Sequence, residues 1–327
     1  MSSARSAILL VGGMGTRLHP LTLQTPKPML PVAGVPFTEH QIRKAREAGI
    51  TEIVLATSFK AELFEPYFGD GSAFGIAIKY AVEKEPLGTG GAIRNAADLL
   101  SGDGAVAIFN GDVLSSHDLA AQLAFHDSHQ ADVTLYLTEV ADARAFGAVE
   151  LDSDNRVLAF NEKMEHPPTN IINAGCYTFS RSALAKIPAG RVVSVERETF
   201  PDLLSSGARV FGFVDRGYWL DIGTPAALLK ASADLISGKA FSAATPQSNG
   251  EFLALAGAVV DASATVDQGS VVGAGAQIGA GARISGSIIG AGAVVGERAT
   301  LINSFVAPHT HIDAAIYSEG NFFGFTE

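Results

Sequence analysis

The sequence has 327 residues, of which 47% are hydrophobic and 17% are charged. This composition excludes a disordered chain. The length leaves room for a large hydrophobic core and suggests two domains. Lys and Arg number 23 against 34 Asp and Glu, and this net charge of -11 opposes binding to nucleic acid or to an anionic membrane surface. Cys176 is the single cysteine, so no intrachain disulfide can form. The first apolar run, residues 7–11, is too short for a signal peptide core or a membrane span. We therefore expect a cytoplasmic protein that holds any anionic substrate through a local set of donors.

Short runs of Val, Ile and Leu alternate with amphipathic segments from residue 7 to about residue 236. The runs at residues 53–56, 106–109 and 133–137 predict buried strands, and the apolar spacing in residues 39–48 and 90–100 predicts amphipathic helices. This alternation indicates an α/β fold with a Rossmann-like, doubly wound, mostly parallel sheet. Such sheets bind ligands beyond the carboxyl ends of their strands.

The composition changes after residue 236. Residues 237–250 are rich in Ser, Ala, Gly and Pro, which is typical of a linker. Aliphatic residues then recur every six positions from Val260 to Leu301, with one interval shortened to five, and glycine often follows them. This period predicts a left-handed parallel β-helix of roughly three turns. The predicted organisation is a first domain at 1–236, a linker at 237–250 and a β-helix at 251–327, which we expect to assemble a homo-oligomer.

A glycine-rich turn, GGMGTRL at residues 12–18, follows the first predicted strand. Glycines let the backbone turn tightly and bring its N–H groups close to an anion, and Arg17 adds a charge. The turn lacks the Lys-Ser/Thr ending of a P-loop and the complete dinucleotide-binding pattern. Lys27 follows in PKPMLP, where prolines restrict the backbone. On these residues alone, a purely structural turn and an ordinary solvated lysine remain open.

Two aspartates have the surroundings of metal ligands. Asp112 ends an Asn-Gly-Asp sequence at the carboxyl end of a predicted strand, and Asp221 lies in YWLDIGTP before a predicted helix. Mg²⁺ prefers one or two carboxylates together with phosphate oxygens and water. The alternatives are a simple turn for the first and a helix cap for the second, although Thr224 followed by Pro225 suits the cap better.

The segments GGMGTRLHPLT and PKPMLPVAG together resemble the signature of the sugar-phosphate nucleotidylyltransferases. The resemblance continues through EPLGTGG at 85–91, FNEK at 160–163, NAG at 173–175 and the W-x-D-I-G pattern. It implies a Mg²⁺-dependent transfer from a nucleoside triphosphate to a sugar 1-phosphate, with release of pyrophosphate. Two positions depart from the family, His19 where relatives commonly carry arginine and Met164 where they usually have proline.

The resemblance also implies roles for particular residues. The implied nucleotide-binding residues are Gly12, Gly13, Gly15, Thr16, Arg17, Lys27, Glu85, Gly88, Thr89 and Gly111. The implied sugar-phosphate-binding residues are Glu162, Lys163, Asn173 and Gly175, and the implied metal ligands are Asp112 and Asp221. Catalysis is expected to depend on Arg17, Lys27, Asp112, Lys163 and Asp221.

The runs INAGCYTFSRSALAKIP and VSVERETFPDLL are most similar to mannose-1-phosphate guanylyltransferases that carry a β-helical tail. The implied substrates are GTP and mannose 1-phosphate, with glucose 1-phosphate and UTP or dTTP as the alternative. A regulatory subunit without activity is a second alternative, which the presence of all the implied charged residues opposes. A third is acyl transfer by the repeat with His309 or His311 as general base, for which solvent-facing histidines are the more ordinary interpretation.

Overall fold

The structure, a computed structural model, describes residues 5–58, 60–83 and 85–325. By packing, the chain divides into two compact units. The first unit contains the described residues up to Gly13 together with Gln41–Trp219, and the second contains Met14–His40 together with the described residues from Leu220 onwards. The boundaries at 236 and 250 remain a prediction of domain organisation.

The secondary structure alternates strands and helices before it becomes a series of short strands. The first strands are β1 Ser6–Leu10, β2 Pro31–Val32, β3 Val35–Pro36, β4 Glu52–Thr57, β5 Ala77–Val82, β6 Val106–Asn110, β7 Val113–Ser115, β8 Val133–Glu139, β9 Gly147–Leu151, β10 Val157–Glu162, β11 Ile171–Phe179, β12 Val210–Val214 and β13 Trp219–Asp221. The later strands are β14 Phe252–Ala254, β15 Val259–Val260, β16 Thr265–Asp267, β17 Ser270–Val272, β18 Gln277–Ile278, β19 Arg283–Ser285, β20 Ile288–Ile289, β21 Val294–Val295, β22 Thr300–Ile302, β23 Phe305–Val306, β24 His311–Ile312, β25 Tyr317–Glu319 and β26 Phe322–Phe323. The α-helices are α1 Phe37–Glu47, α2 Glu65–Phe68, α3 Gly88–Ala97, α4 Leu119–Ser128, α5 Arg181–Leu184, α6 Phe200–Ser205 and α7 Pro225–Ile236, and a π-helical turn at Val195–Thr199 precedes α6. None of the described helices has both the length and the apolar character that crossing a membrane requires.

The first unit is built on a mixed sheet with the strand order β10-β9-β11-β6-β1-β4-β5, in which β8 pairs with β11 and β12 pairs with β8. Strands β5, β4, β1 and β6 are parallel, as predicted for an α/β fold, and this fold class is confirmed. Strand β11 runs antiparallel to β6, β8 and β9. The sheet is therefore mixed, because β8 to β11 follow one another without the crossover helices that parallel pairing requires.

The predicted strands at 53–56, 106–109 and 133–137 lie within β4, β6 and β8, where all of their side chains are buried. Burial on both faces explains why these strands have continuous rather than alternating apolar sequences. Leu10 at the end of β1 pairs with Asn110 at the end of β6. The chain therefore leaves two adjacent parallel strands at the glycine-rich turn and at the Asn-Gly-Asp sequence.

The repeat in the second unit forms three parallel sheets, with the orders β14-β17-β20-β23-β26, β15-β18-β21-β24 and β16-β19-β22-β25. The predicted parallel β-helix is confirmed, and the described residues contain four coils and the first strand of a fifth rather than roughly three. The outer coils were missed because the inward residues there, such as Val306 and Ile312, are followed by Ala307 and Asp313 and not by glycine.

A ladder of buried serines lies at one corner of the β-helix. The N–H of Ser287 donates to Oγ of Ser270 at 3.1 Å, and the N–H of Ser304 donates to Oγ of Ser287 at 3.0 Å. The N–H of Asn321 continues the series to Oγ of Ser304 at 3.3 Å. Each hydroxyl thus satisfies a backbone donor in the next coil, which a corner between short strands would otherwise leave unpaired.

The segment 14–40 packs within the second unit against α7 and the first coil. The N–H of Ala33 donates to Oγ of Ser232 on α7 at 3.0 Å. A Cβ atom at Gly34, whose φ is +85°, would lie 2.9 Å from Cδ2 of Leu255. Burial lowers the pKa of His40, so its ring is neutral. Nε2 of this ring lies 2.9 Å from the carbonyl oxygen of Val32, within the same unit.

Candidate active site

Within the second unit, the segment that carries Lys27 packs against Gly15 of the glycine-rich turn. Gly15 has a φ of +63°, and a Cβ atom there would lie 2.9 Å from Cβ of Lys27 and 3.1 Å from Cγ2 of Thr22. The hydroxyl of Thr22 donates to the carbonyl of Gly15 at 3.0 Å. Position 15 therefore requires glycine both for its backbone conformation and for the close approach of Lys27.

Arg17 and Asp221 come together around Gly223. A Cβ atom at Gly223 would lie 2.8 Å from Nη2 of Arg17 and 2.8 Å from Oδ1 of Asp221. The helix-cap alternative for Asp221 does not hold, because the hydroxyl of Thr224 caps α7 by accepting the N–H of Ala227 at 3.2 Å. Four of the predicted residues, Gly15, Arg17, Lys27 and Asp221, thus belong to the second unit, which brings a glycine of the turn, two cations and a carboxylate into one compact part of the protein.

Asp112 lies in the first unit, in a turn that admits no side chain at Gly111. A Cβ atom at Gly111 would lie 2.2 Å from the carbonyl oxygen of Leu10, so only glycine lets β6 end this close to β1. Gly175 has a φ of +77°, and a Cβ atom there would lie 3.0 Å from Nδ2 of Asn110. The predicted sugar segment NAG therefore lies against the predicted metal segment.

Asn173 is oriented by hydrogen bonds at both ends of its amide. Its Nδ2 donates to Oη of Tyr177 at 3.0 Å, and its Oδ1 accepts the N–H of Gly175 at 3.2 Å. The pairing of β11 with β8 shifts in register between Asn173 and Tyr177, so the hydrogen bonds of the Asn173 amide lie within an irregular part of the strand. Burial raises the pKa of Tyr177 well above its usual value, and the nearby charge of Glu196 acts in the same direction. Tyr177 therefore remains a neutral hydroxyl.

Glu162 is the last residue of β10, and Lys163 follows it. Both residues belong to the first unit, as does Trp219. Lys163 has a φ of +44°, and its N–H donates to the carbonyl of Phe146 at 3.2 Å. The Phe146 ring meets the Trp219 ring edge-on at 5.3 Å, and the Trp219 indole donates to the carbonyl of Ala174 at 3.1 Å. The Lys163 ammonium lies 3.8 Å from the Glu162 carboxylate and is 61% exposed, so it is accessible to an incoming anion.

The turn at residues 85–91 is joined to the π-helical turn. The hydroxyl of Thr89 donates to Oε2 of Glu196 at 2.8 Å and accepts the N–H of Val195 at 2.9 Å. A Cβ atom at Gly88, whose φ is +70°, would lie 2.6 Å from the carbonyl oxygen of Val193. These contacts give the turn a structural role, and the nucleotide-binding roles of Glu85, Gly88 and Thr89 remain predictions.

Two residues of α1 that we did not predict hold the backbone on either side of Asp112. Nε2 of Gln41 donates to the carbonyl of Asn110 at 2.7 Å, and Nζ of Lys44 donates to the carbonyl of Ser115 at 2.8 Å. The signal in the sequence was their spacing of three residues, which places two polar side chains on one face of a helix.

The two histidines of the acyl-transfer alternative lie on the outside of the β-helix. His309 occupies a corner with a φ of +58° and is exposed, and His311 is exposed on β24. This placement agrees with the interpretation as solvent-facing side chains.

Comparison with known proteins bears out the resemblance. Residues 6–238 match the family model "Nucleotidyl transferase". The chain is 54% identical over 255 residues to a mannose-1-phosphate guanylyltransferase of Mycobacterium tuberculosis, covering 78% of this chain and 71% of the relative. It is 39% identical over 223 residues to a probable mannose-1-phosphate guanylyltransferase 2 of Oryza sativa subsp. japonica, covering 67% of this chain and 61% of that relative, so it spans about three fifths of the plant protein.

A solved structure shows the same fold over about two thirds of the chain. HddC from Yersinia pseudotuberculosis, complexed with GMP-PN, superposes with a TM-score of 0.59 at 30% identity and covers 69% of this chain and 97% of that one. These matches confirm the predicted enzyme class, a nucleotidyltransferase. The chain therefore belongs to the nucleotidyl transferase family.

Proposed function

We propose that this protein transfers a guanylyl group from GTP to mannose 1-phosphate, giving GDP-mannose and pyrophosphate in a reaction that requires Mg²⁺. The observation that carries the proposal is the grouping of Gly15, Arg17, Lys27 and Asp221 in one unit. The names of the relatives from M. tuberculosis and O. sativa support the choice of substrates.

The proposed chemistry is an in-line displacement. An oxygen of the sugar 1-phosphate forms a bond to the α-phosphorus of the nucleotide. The bond between the α-phosphorus and the oxygen that bridges to the β-phosphate breaks, and pyrophosphate leaves with the electron pair of that bond. Arg17, Lys27 and the backbone N–H groups of the glycine turn bind the triphosphate, and the exposed Lys163 ammonium binds the sugar phosphate. The Glu162 carboxylate accepts hydrogen bonds from sugar hydroxyls, and the oriented Asn173 amide can donate to them and accept from them. The proposed reaction requires two mutually repelling anions to be held in line.

The chemistry of the donors fits magnesium. Asp112 is half-buried at the carboxyl end of β6, and Asp221 is half-buried beside Arg17. Both offer the carboxylate oxygens that Mg²⁺ prefers. When bound, the ion would supply positive charge to the α-phosphate and to the leaving pyrophosphate. No group of three His, Cys, Asp or Glu side chains suited to a metal occurs among the described residues, and the binding of one ion by both aspartates remains a prediction.

The test is an assay of the purified full-length chain against GTP, UTP, dTTP and ATP, each with mannose 1-phosphate and glucose 1-phosphate, with and without Mg²⁺. We expect turnover with GTP and mannose 1-phosphate that is lost without the ion. A preference for a pyrimidine nucleotide would overturn the mannose assignment and favour the glucose 1-phosphate alternative. Transfer with none of the pairs would overturn nucleotidyl transfer itself.

Asp112→Asn provides the matched test of the metal ligand. We expect kcat to fall by at least about 100-fold with an unchanged Tm, because the variant keeps the shape of the side chain and loses its charge. Asp127→Asn is the control, since Asp127 is an exposed partner of Arg5. Equal kcat in both variants would remove Asp112 from the proposed mechanism.

A further inference from the structure

Lys44 is half-buried, and its ammonium has three acceptors that are all uncharged. Its Nζ donates to the carbonyl of Ser115 at 2.8 Å, to Oγ of Ser115 at 3.1 Å and to Nδ1 of His117 at 2.9 Å. Withdrawing an ammonium from water without a carboxylate among its acceptors is costly, because neutral groups replace only part of its hydration. An uncharged donor could satisfy the same acceptors at a lower desolvation cost, so the charge calls for another explanation.

The same face of α1 holds both sides of the Asp112 turn. Gln41, one helical turn before Lys44, donates to the carbonyl of Asn110 at 2.7 Å. Asn110 is the last residue of β6, and Ser115 is the last residue of β7. The backbone between these two points contains Asp112, so the two side chains of α1 fix the ends of the segment that presents the carboxylate.

The charge of Lys44 also sets the direction of a longer chain of hydrogen bonds. Because Nζ only donates, Nδ1 of His117 accepts and its Nε2 carries the proton, which is donated to Oε1 of Gln122 at 3.0 Å. Nε2 of Gln122 then donates to Oγ1 of Thr178 at 3.2 Å. Thr178 lies on β11, the strand that carries Asn173. The network therefore joins the strand after Asp112 to the strand of the predicted sugar contacts.

We propose that Lys44 is a positioning residue for Asp112, acting through Ser115 and His117, and that it acts in its charged form so that the position of Asp112 depends on pH. The role of Asp112 in this proposal rests on the proposed function. We call Lys44, Ser115 and His117 the Lys44 clamp.

The titration of Lys44 supports the proposed pH dependence. Burial lowers the pKa of Lys44 to about 8, although Cys176, Asp215, Asp118 and Glu47 each act to raise it. Burial, followed by the charge of Lys44, lowers the pKa of His117 well below its usual value. In mildly alkaline solution Lys44 therefore loses its proton while His117 remains neutral. The resulting amine has two N–H groups for three acceptors and makes weaker hydrogen bonds.

Hydrogen exchange of the metal-free, full-length protein tests the clamp without relying on catalysis. In Lys44→Met at pH 7 we expect about tenfold faster exchange in peptides that cover residues 113–117, with unchanged exchange in the β-helix. Lys79→Met is the matched control, because Nζ of Lys79 also donates to a carbonyl and a serine hydroxyl, those of Leu99 and Ser101, at 2.8 and 3.1 Å. The control should leave residues 113–117 unchanged.

The positioning role is tested by kinetics. For Lys44→Met we expect kcat to fall about tenfold with both KM values within about twofold of the wild type, because binding groups stay in place and alignment is lost. The wild-type kcat should decline above pH 8 and that decline should be absent in Lys44→Met. Lys44→Gln, which keeps a donor without the charge, is expected to show the same flat profile and serves as the second variant if Lys44→Met does not fold.

The possible results separate the two hypotheses. Unchanged exchange at residues 113–117, or faster exchange throughout the chain, would overturn the clamp. Faster local exchange with wild-type kcat and an unchanged pH profile would overturn the positioning role. Local loosening in Lys44→Met together with a wild type that transfers no nucleotidyl group would support the clamp and overturn the proposed function alone.

Discussion

The replacement Gly223→Ala tests whether Arg17 and Asp221 act together. The added methyl carbon would lie 2.8 Å from Nη2 of Arg17 and from Oδ1 of Asp221. Since ordinary contacts begin near 3.5 Å, at least one of these groups must move by more than about half an ångström. Misplacement on this scale costs alignment, and we expect kcat/KM to fall between about tenfold and 100-fold, or about 1.4 to 2.7 kcal/mol.

The fold should tolerate the same replacement. Position 223 is not in the left-handed region, and the atoms that the methyl group meets are the ends of side chains rather than backbone. We expect the free energy of unfolding to change by less than about 1 kcal/mol. Pyrophosphate release measures the activity, and thermal unfolding measures the stability.

A double-mutant cycle supplies the control for this prediction. In an Arg17→Ala background the methyl group meets one functional side chain fewer, so Gly223→Ala should cost less there than in the wild type. A folded Gly223→Ala variant with kcat/KM within twofold of the wild type would refute the reasoning. Equal costs in both backgrounds would refute the part that depends on Arg17.

Three further predictions follow from the structure. Ser287→Ala should lower the free energy of unfolding by about 1–3 kcal/mol, since the buried N–H of Ser304 loses its acceptor, and urea unfolding would contradict this if the midpoint did not move. Burial lowers the pKa of His126 to about 4, so the unfolded state binds more protons than the folded state between pH 6.5 and 4, and stability is lost as the pH falls through this window. The variant His126→Asn should remove up to about 3 kcal/mol of that loss, measured as the difference in the free energy of unfolding between pH 7 and pH 4. Equal losses in the variant and the wild type would contradict this prediction. Lys163→Met should raise the KM for the sugar phosphate about tenfold or more and leave the KM for the nucleotide within twofold, and steady-state kinetics that showed the reverse would assign Lys163 to the nucleotide.

The sequence predicted the parts of this protein whose structure is set locally or by a period. The buried run before Asn110 placed Asp112 at the end of a strand because a fully apolar segment of this length is typical of a parallel sheet. The aliphatic spacing from Val260 to Leu301 predicted the β-helix because each coil needs an inward side chain at the same interval. The roles of Arg17 and Asp221 in one site were implied by the family resemblance alone, and their positions around Gly223 agree with it.

The parts that the sequence did not predict depend on contacts between distant residues. Ala33 and Ser232 are 199 residues apart, and no local pattern indicates that the segment 14–40 packs against α7. The burial of Lys44 was missed because lysine is ordinarily exposed and its acceptors lie 71 residues or more along the chain. The hydroxyl of Thr89 has the same kind of distant partner, Glu196, which no local pattern indicates.

The attachment of residues 14–40 to the beginning of the repeat has a practical consequence for anyone who shortens this protein. Gly34 lies close to Leu255, so a chain cut after Gly250 would uncover the hairpin that follows Lys27. The first coil of the repeat thus supports the segment that carries Lys27. Removing that support would disturb the turn that we propose to bind the triphosphate, even where every charged residue is still present.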